Sequence, residues 1–307
     1  MHGFVVDKMC IAKPFLKWAG GKGQLIHEIV KRLPNELLAG QISTYIEPFI
    51  GGGAVFFYIV QQFETINNFY LFDTNEDLVN CYNSIKDNVE LVIEALHKLT
   101  HKYYESKNSK ELYLSIRNKF NETKHNWSVI NAAQLIFLNK TCFNGLYRVN
   151  KSGYFNVPFG DYKKPTICNA KNLQNVSWVL QKAHIICADF KYSTRFIEED
   201  TFIYFDPPYR PLSKTASFTS YSKDSFSEED QMRLANFCKI VDKKGAKFLL
   251  SNSDPQNEKS SDHFFQDHYG AYGFYIQKVK ASRAINCKAS GRGQINELLI
   301  TNYEVNL

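Results

Sequence analysis

The stretch TYIEPFIGGGAVFFYIVQQFETINNFYLFD, residues 44–73, decides the fold. A short apolar run breaks at Pro48 and three glycines, a segment with helical potential follows, and a second apolar run ends at Asp73. Strand, glycine turn, helix, strand is the order of a βαβ unit, in which a helix carries the chain between parallel strands. Later segments repeat this logic. TFIYFDPPY (201–209) is a third apolar run, stopped by an acid and two prolines. KKGAKFLLSNSD (243–254) follows the helical pattern SEEDQMRLANFCKIV (227–241) and ends in small polar residues, and NELLITNYEV (296–305) is expected as a late edge strand. The fold class is therefore α/β: a doubly wound, Rossmann-like sheet.

The chain has 307 residues, enough for one large domain or two ordinary ones. It is 44% hydrophobic and 15% aromatic, which supplies a substantial core and excludes a largely disordered protein. Thirty-seven basic and 31 acidic residues leave a net charge of +6, compatible with a polyanionic partner. Seven cysteines (10, 81, 142, 168, 187, 238 and 287) form no C-x-x-C pair and read as reduced, buried thiols rather than a disulfide framework or zinc site. The opening MHGFVVDKMCIAKPF has no secretory pattern, and no stretch approaches the length of a membrane span. A soluble, cytoplasmic protein is expected.

Residues 77–168 break the α/β rhythm. They are polar and helix-like, then turn into NGLYRVNKSGYFNVPFG (144–160), which reads as a hairpin or loop carrying polar and aromatic side chains. Thirteen Lys and Arg stand here against eight Asp and Glu, a net +5 of the chain's +6. A solvated charged face explains such an excess in general. Its concentration in the one segment that departs from the pattern points equally to phosphate binding. The expected division is a discontinuous catalytic domain, 1–76 with 169–307, and an inserted, mainly helical domain at 77–168 containing a β-hairpin.

The strand ends carry the candidate chemistry. At Asp206-Pro207-Pro208-Tyr209 the prolines can simply end a strand and the acid can make a turn. Two successive prolines also fix φ at both positions and present a rigid carbonyl beside a carboxylate, with a ring nearby. Such a site suits a flat group bearing N–H donors. Glu47-Pro-Phe49-Ile-Gly51-Gly-Gly53 lies where a strand opens into a helix, where glycines allow a sharp turn and close approach of a ligand. Asp73, ending the next strand, is placed either for ribose hydroxyls or to cap the helix that follows. The G-x-G-x-x-G spacing of a dinucleotide site is absent. FLKWAGGKGQL (15–25) is a second glycine loop, but Lys22 is followed by Gly23 and Gln24, so it is no P-loop. Alone, Trp18 there reads as a core aromatic and Lys17 as a surface charge.

In order, FLKWAGGK, YIEPFIGGGAVF, LFDTNEDL, NGLYRVNKSGYFNVPFG, DPPY followed by LSKTASFTSY, LLSN and NELLITNY stop being generic. From about Phe15 to Tyr303 the chain resembles the Dam-like DNA adenine-N6 methyltransferases (the D12 class), and is most similar to members that methylate adenine within GATC. The resemblance implies S-adenosyl-L-methionine as methyl donor, no metal, and double-stranded DNA as partner; the oligomeric state stays open, a monomer among the alternatives. It implies cofactor contacts from Trp18, Lys22, Glu47, Phe49, Gly51, Gly53, Asp73 and Asp206. Asp206 and the Pro207 carbonyl would each accept one N6–H of a flipped-out adenine, with Pro208 stiffening the segment and Tyr209 stacking on the base. It implies DNA contacts from Lys17, Phe143, Asn144, Leu146, Arg148, Asn150 and Pro158. Arg148 would make a bidentate contact to a guanine, against the alternative of a phosphate or surface charge. Phe143 stands where relatives carry an aromatic that fills the space of the flipped base; where the best-known branch has Tyr, its hydroxyl is missing here. An RNA adenine methyltransferase and a non-catalytic DNA-binding protein on the same fold stay open, as does the choice between a restriction-modification partner, a solitary enzyme and a phage product.

Overall fold

The computed structural model describes residues 11–210, 226–282 and 294–305. LSKTASFTSY (212–221), Cys10 and Cys287 lie outside the described residues. The elements are α1 (Ile26–Val30), α2 (Asn35–Leu38), β1 (Thr44–Glu47), α3 (Ala54–Gln62), β2 (Asn68–Asp73), α4 (Glu76–Glu105), α5 (Ser109–Thr123), α6 (Val129–Thr141), α7 (Ala170–Leu180), β3 (Ala183–Cys187), β4 (Thr201–Phe205), α8 (Glu228–Lys243), β5 (Lys247–Ser253), α9 (Phe264–His268), β6 (Tyr275–Ser282) and β7 (Gln294–Thr301). Seven strands form one sheet in the order β3-β2-β1-β4-β5-β7-β6. The first five are parallel, and β7 runs antiparallel between β5 and β6.

The strands are apolar on both faces because both are covered, as parallel sheets require. Along β4, Phe202 and Tyr204 join the core beneath α3 and α7, while Ile203 and Phe205 join the core under α8 and α9. β1 splits the same way at Tyr45 and Ile46, and β5 at Leu249 and Leu250. The doubly wound sheet is thus present as expected, with two differences. NELLITNYEV supplies β7, but β7 is an interior strand, since β6 pairs with it along its whole length and forms the edge. β3, which closes the other edge, is exposed at His184 and half-buried from Ile185 to Cys187, and carries no strong apolar signal. Of the described cysteines, all are free; Cys81, Cys142 and Cys238 are buried, and Cys168 and Cys187 are half-buried.

Between β2 and β3 lies the helical segment. α4 packs along α6 and α7 and departs from helical geometry at Asn88 (φ −140°, ψ 40°). Its first part is tied to the sheet, Lys86 Nζ donating to the Ala183 carbonyl at 2.8 Å. After α6 the chain folds back on itself through isolated antiparallel bridges, Cys142 with Phe159 and Val149 with Phe155. Asn121, Tyr113 and Lys124 hold this hairpin through the carbonyls of Phe155, Val157 and Gly153.

At the β1–α3 turn, Gly53 is the residue before the helix, at φ +69°. A Cβ there would lie 2.7 Å from the Tyr82 hydroxyl, which is itself bonded to the Gly51 carbonyl at 3.1 Å. Gly20 (φ +77°) has open space around its Cβ position. Gly53→Ala is expected to destabilise the protein by about 2 kcal/mol through left-handed backbone plus contact. Gly20→Ala should cost about 1 kcal/mol, for the backbone alone. Urea unfolding of both variants measures the difference.

Candidate active site

β1 and β4 are neighbours, and the chain winds outward from them in opposite directions, which puts the topological switch point between their carboxyl ends. The Asp206–Tyr209 segment leaves β4 there. Asp206 Oδ1 pairs with Lys22 Nζ at 2.6 Å and accepts from Ser251 Oγ at 3.1 Å. Burial pushes the Asp206 carboxyl up, and Lys22 and Ser251 pull it back. Lys22 is itself buried, donates to the Gly20 carbonyl at 2.9 Å, and sits 4.7 Å from the centre of the Tyr209 ring. The Tyr209 hydroxyl donates to Glu297 Oε2 on β7 at 2.6 Å, and Gln231 Nε2 on α8 donates to the Pro208 carbonyl at 2.9 Å. Acid, lysine, ring and carbonyl are therefore each held by contacts within the protein.

On the other side of the switch point, Glu47 ends β1 fully buried. It accepts from Tyr45 at 2.6 Å and from the backbone of Phe56 in the first turn of α3. Burial holds its carboxyl well above the usual range, with Asp206 adding to the effect. Gly51, at φ +45°, lies against Trp18, and a Cβ would come within 3.0 Å of the indole. The half-buried Asp73 accepts from the Gly51 N–H at 3.1 Å and the Asn75 N–H at 2.9 Å. Burial raises this carboxyl, and the N–H groups of Asn75, Gly51 and Thr74 oppose the rise. The capping duty at α4 falls to Asn75, which accepts the Leu78 N–H. Phe49 packs on Phe190 and Phe226 at 5.6 Å each. The Ala188 N–H binds the Asp73 carbonyl, so Asp189 and Phe190 after β3 join the same rim.

The hairpin side meets this rim at Trp18, stacked on Tyr147 with centroids 5.3 Å apart. Tyr147 donates to Asp77 at 2.6 Å, and Lys124 lies 3.5 Å from the same oxygen. Lys17 is exposed, but its backbone is clamped by Asn139, which also holds the Gly145 carbonyl. Its Nζ stands 5.1 Å from the Tyr162 ring centre. Phe143 is 52% exposed, and its N–H binds the Pro158 carbonyl at 2.8 Å. Asn144 has φ +57° and donates its N–H to the Tyr162 hydroxyl. Arg148 is exposed, with Nε on Asn156 Oδ1 at 2.8 Å and Nη2 on the Asn156 carbonyl at 3.2 Å. Asn150 uses Oδ1 inside its own turn, accepting from Ser152 and Tyr154. Leu146 is half-buried and packs on the core.

Sequence reasoning missed the supports. Ser251 sits in LLSN, Glu297 in NELL and Gln231 in SEEDQM, where each reads as an ordinary polar residue of a strand or helix. The detectable signal was position: each is a polar residue at a site whose neighbours in the pattern are core. Among the described residues no group of three or more His, Cys, Asp or Glu is placed to hold a metal ion. No helix among them is long and apolar enough to cross a membrane.

Residues 18–285 match the family model of the D12 class N6 adenine-specific DNA methyltransferases. The chain is 49% identical over 297 residues to a type II methyltransferase, M.MjaIII, of Methanocaldococcus jannaschii, covering 95% of this chain and 99% of that one. It is 39% identical to the type II methyltransferase M1.LlaDCHI of Lactococcus lactis subsp. cremoris, with 95% of each chain covered. It is 32% identical to the DNA adenine methylase of Escherichia coli K12, with 94% of each covered.

Lys22→Met leaves a buried carboxylate without its counter-charge, and at neutral pH a loss of about 3 kcal/mol is expected. Asp206 already titrates above its unfolded value, and removing Lys22 raises it further. The folded state then binds the extra proton, so stability falls as pH rises through the folded value. The deficit against the unsubstituted protein should therefore be largest at neutral pH and shrink on acidification. Thermal or urea unfolding across pH measures it; a deficit that grew towards acid would contradict the pairing.

Proposed function

Since the chain belongs to the D12 class N6 adenine-specific DNA methyltransferase family, we propose that it transfers a methyl group from S-adenosyl-L-methionine to N6 of an adenine flipped out of double-stranded DNA, within GATC. In this reading residues 1–76 with 169–307 form the catalytic domain and 77–168 the target-recognition domain. The observation that carries it is the meeting of Asp206–Tyr209, the Gly51–Gly53 turn and Asp73 at one switch point, with the basic hairpin joined to them through Trp18.

S-adenosylmethionine, when bound, supplies a methyl group on a positively charged sulfur. The residues present fit such a ligand. At Gly51 and Gly53 a side chain would strike Trp18 and Tyr82, so the turn keeps bare backbone beside Asp73 at the rim. Asp73 accepts from ribose hydroxyls, and the half-buried Phe49, backed by the buried Phe190, offers an apolar face to a flat base. Trp18 and Tyr209 present ring faces, which favour a cation.

The N6 of adenine is a poor nucleophile because its lone pair is delocalised into the ring. Asp206 Oδ1 is engaged by Lys22 and Ser251, so Oδ2 faces the incoming amine and accepts one N6–H. With the Pro208 carbonyl bound to Gln231, the Pro207 carbonyl is the one that accepts the other. The two acceptors favour a pyramidal nitrogen whose lone pair points at the methyl carbon. Bound S-adenosylmethionine would give its methyl carbon to N6 and keep the carbon–sulfur electron pair on sulfur, and Asp206 or solvent would take the proton that N6 must lose. Catalysis is mainly positioning. Reaching the pocket requires the base to leave the duplex, at a cost of a few kcal/mol. Phe143, exposed on the hairpin, fills the gap that remains.

Asp206→Ala is expected to fold and to lose methyl transfer, measured with labelled S-adenosylmethionine on a random-sequence duplex library and on RNA. Full activity in the folded variant would remove Asp206 from the mechanism.

Arg148 tests the recognition reading. Asn156 holds one edge of its guanidinium, which leaves the other edge to meet a guanine. Arg148→Ala should lower the rate on GATC by an amount corresponding to about 1–3 kcal/mol and relax discrimination at one base pair only. Rates on GATC and on each single-base variant, at two salt concentrations, provide the check. A uniform loss with a shallower salt dependence would place Arg148 on the phosphate backbone instead.

A further inference from the structure

Gln231 projects from α8 into a fully buried position, where an apolar side chain would be the ordinary occupant. Burying a glutamine costs rotamer freedom and requires its amide to be satisfied. Both ends are. Nε2 donates to the Pro208 carbonyl at 2.9 Å, and Oε1 accepts from Asn252 Nδ2 at 3.3 Å. Asn252, on β5, is also fully buried; its Oδ1 accepts the Ser253 N–H at 2.9 Å and lies 3.4 Å from the Arg210 N–H. Two amide side chains from different elements thus bracket the backbone that follows Asp206.

The prolines make that bracket decisive. Pro207 and Pro208 have φ fixed near the same value, so the soft torsions between Asp206 and Tyr209 are reduced to the two ψ angles. Neither proline offers an N–H through which the backbone could be held. A hydrogen bond to the Pro208 carbonyl therefore sets the peptide plane leading into Tyr209, and the Pro207 carbonyl one plane back is oriented by the same constraint.

We infer that Gln231 is a positioning residue for methyl transfer: it aims the Pro207 carbonyl and the Tyr209 ring at the reacting amine by holding the Pro208 carbonyl, with Asn252 fixing the orientation of its amide. This rests on the reading of Asp206–Tyr209 as the catalytic segment. Gln231 touches neither ligand; its effect is on geometry at the moment of transfer.

The test uses the full chain in single turnover, with labelled S-adenosylmethionine and a duplex that the unsubstituted protein methylates, both pre-bound. Gln231→Leu, similar in volume and without a donor, should lower the transfer rate by about 10- to 100-fold. Its affinities for cofactor and duplex, measured separately, should stay within about threefold, since no ligand contact is removed. Gln231→Glu adds a signature that a packing role would not produce. As a buried acid it titrates above the ordinary glutamate range. Protonated, it donates to the Pro208 carbonyl; ionised, it repels it. The rate of Gln231→Glu relative to the unsubstituted protein should therefore rise as pH falls from about 8.5 to about 6. A Gln231→Leu protein that transfers at the unsubstituted rate would overturn the inference. So would a flat Gln231→Glu ratio, which decides alone if the leucine variant does not fold. Asp206→Ala separates the two levels: if it is inactive while Gln231→Leu is fully active, only the inference about Gln231 fails, and if it is active, the assignment of the segment fails first.

Discussion

Covering both faces of the sheet is the constraint from which the rest follows. A strand such as β4, buried at every residue from Thr201 to Phe205 and apolar after its first, has no room for a charged group along its length. Polar chemistry is confined to the carboxyl ends, where the chain leaves the sheet between helices. Two acids, Glu47 and Asp206, stand there, and the nearby Lys22 supplies the charge that a buried carboxylate needs. The ion pair, the glycine turn and the prolines are different solutions to the same problem of placing polar groups at the rim of an apolar layer.

Much of the fold was legible because burial on both faces writes itself as uninterrupted apolar runs. β1, β2, β4 and β5 were visible for this reason, as were α3 behind its glycines and α8 behind Ser227. β3 and β6 were not. β3 closes one edge and is half-buried along Ile185–Cys187; β6 closes the other and carries Gln277, Lys278 and Lys280 among its residues. Edge strands lose the signal that interior strands show. The same logic explains why β7 was misplaced: its apolar core LLI identified a strand, but nothing local reveals that another strand will cover its far side.

The candidate site was legible where residue type and backbone geometry demand each other. Gly51 and Gly53 at positive φ, and the paired prolines after Asp206, announce themselves in any reading. Lys22 and Trp18 were ambiguous alone, since a lysine and a tryptophan after glycines have ordinary explanations; the ion pair to Asp206 and the contact with Gly51 join residues almost two hundred and about thirty positions apart. Ser251, Gln231 and Glu297 stand out only as polar residues among core positions, and what they support was hidden for a related reason. Each reaches the Asp206–Tyr209 segment from an element of its own, and a hydrogen bond across the fold leaves no local trace.

The hairpin alternates. Tyr147 is buried and turned to Trp18, Arg148 is exposed, Val149 is half-buried against the core, and Asn150 is exposed again. Successive residues of one short stretch thus belong to two different surfaces, one bracing the glycine turn and one facing outward. The inward positions are bound to the core, whereas Arg148 and Asn150 are engaged only within the hairpin itself. On the proposed reading, a lineage would diversify what it reads through Arg148, whose side chain is held only by Asn156, while the wall behind it and the machinery beneath stay unchanged.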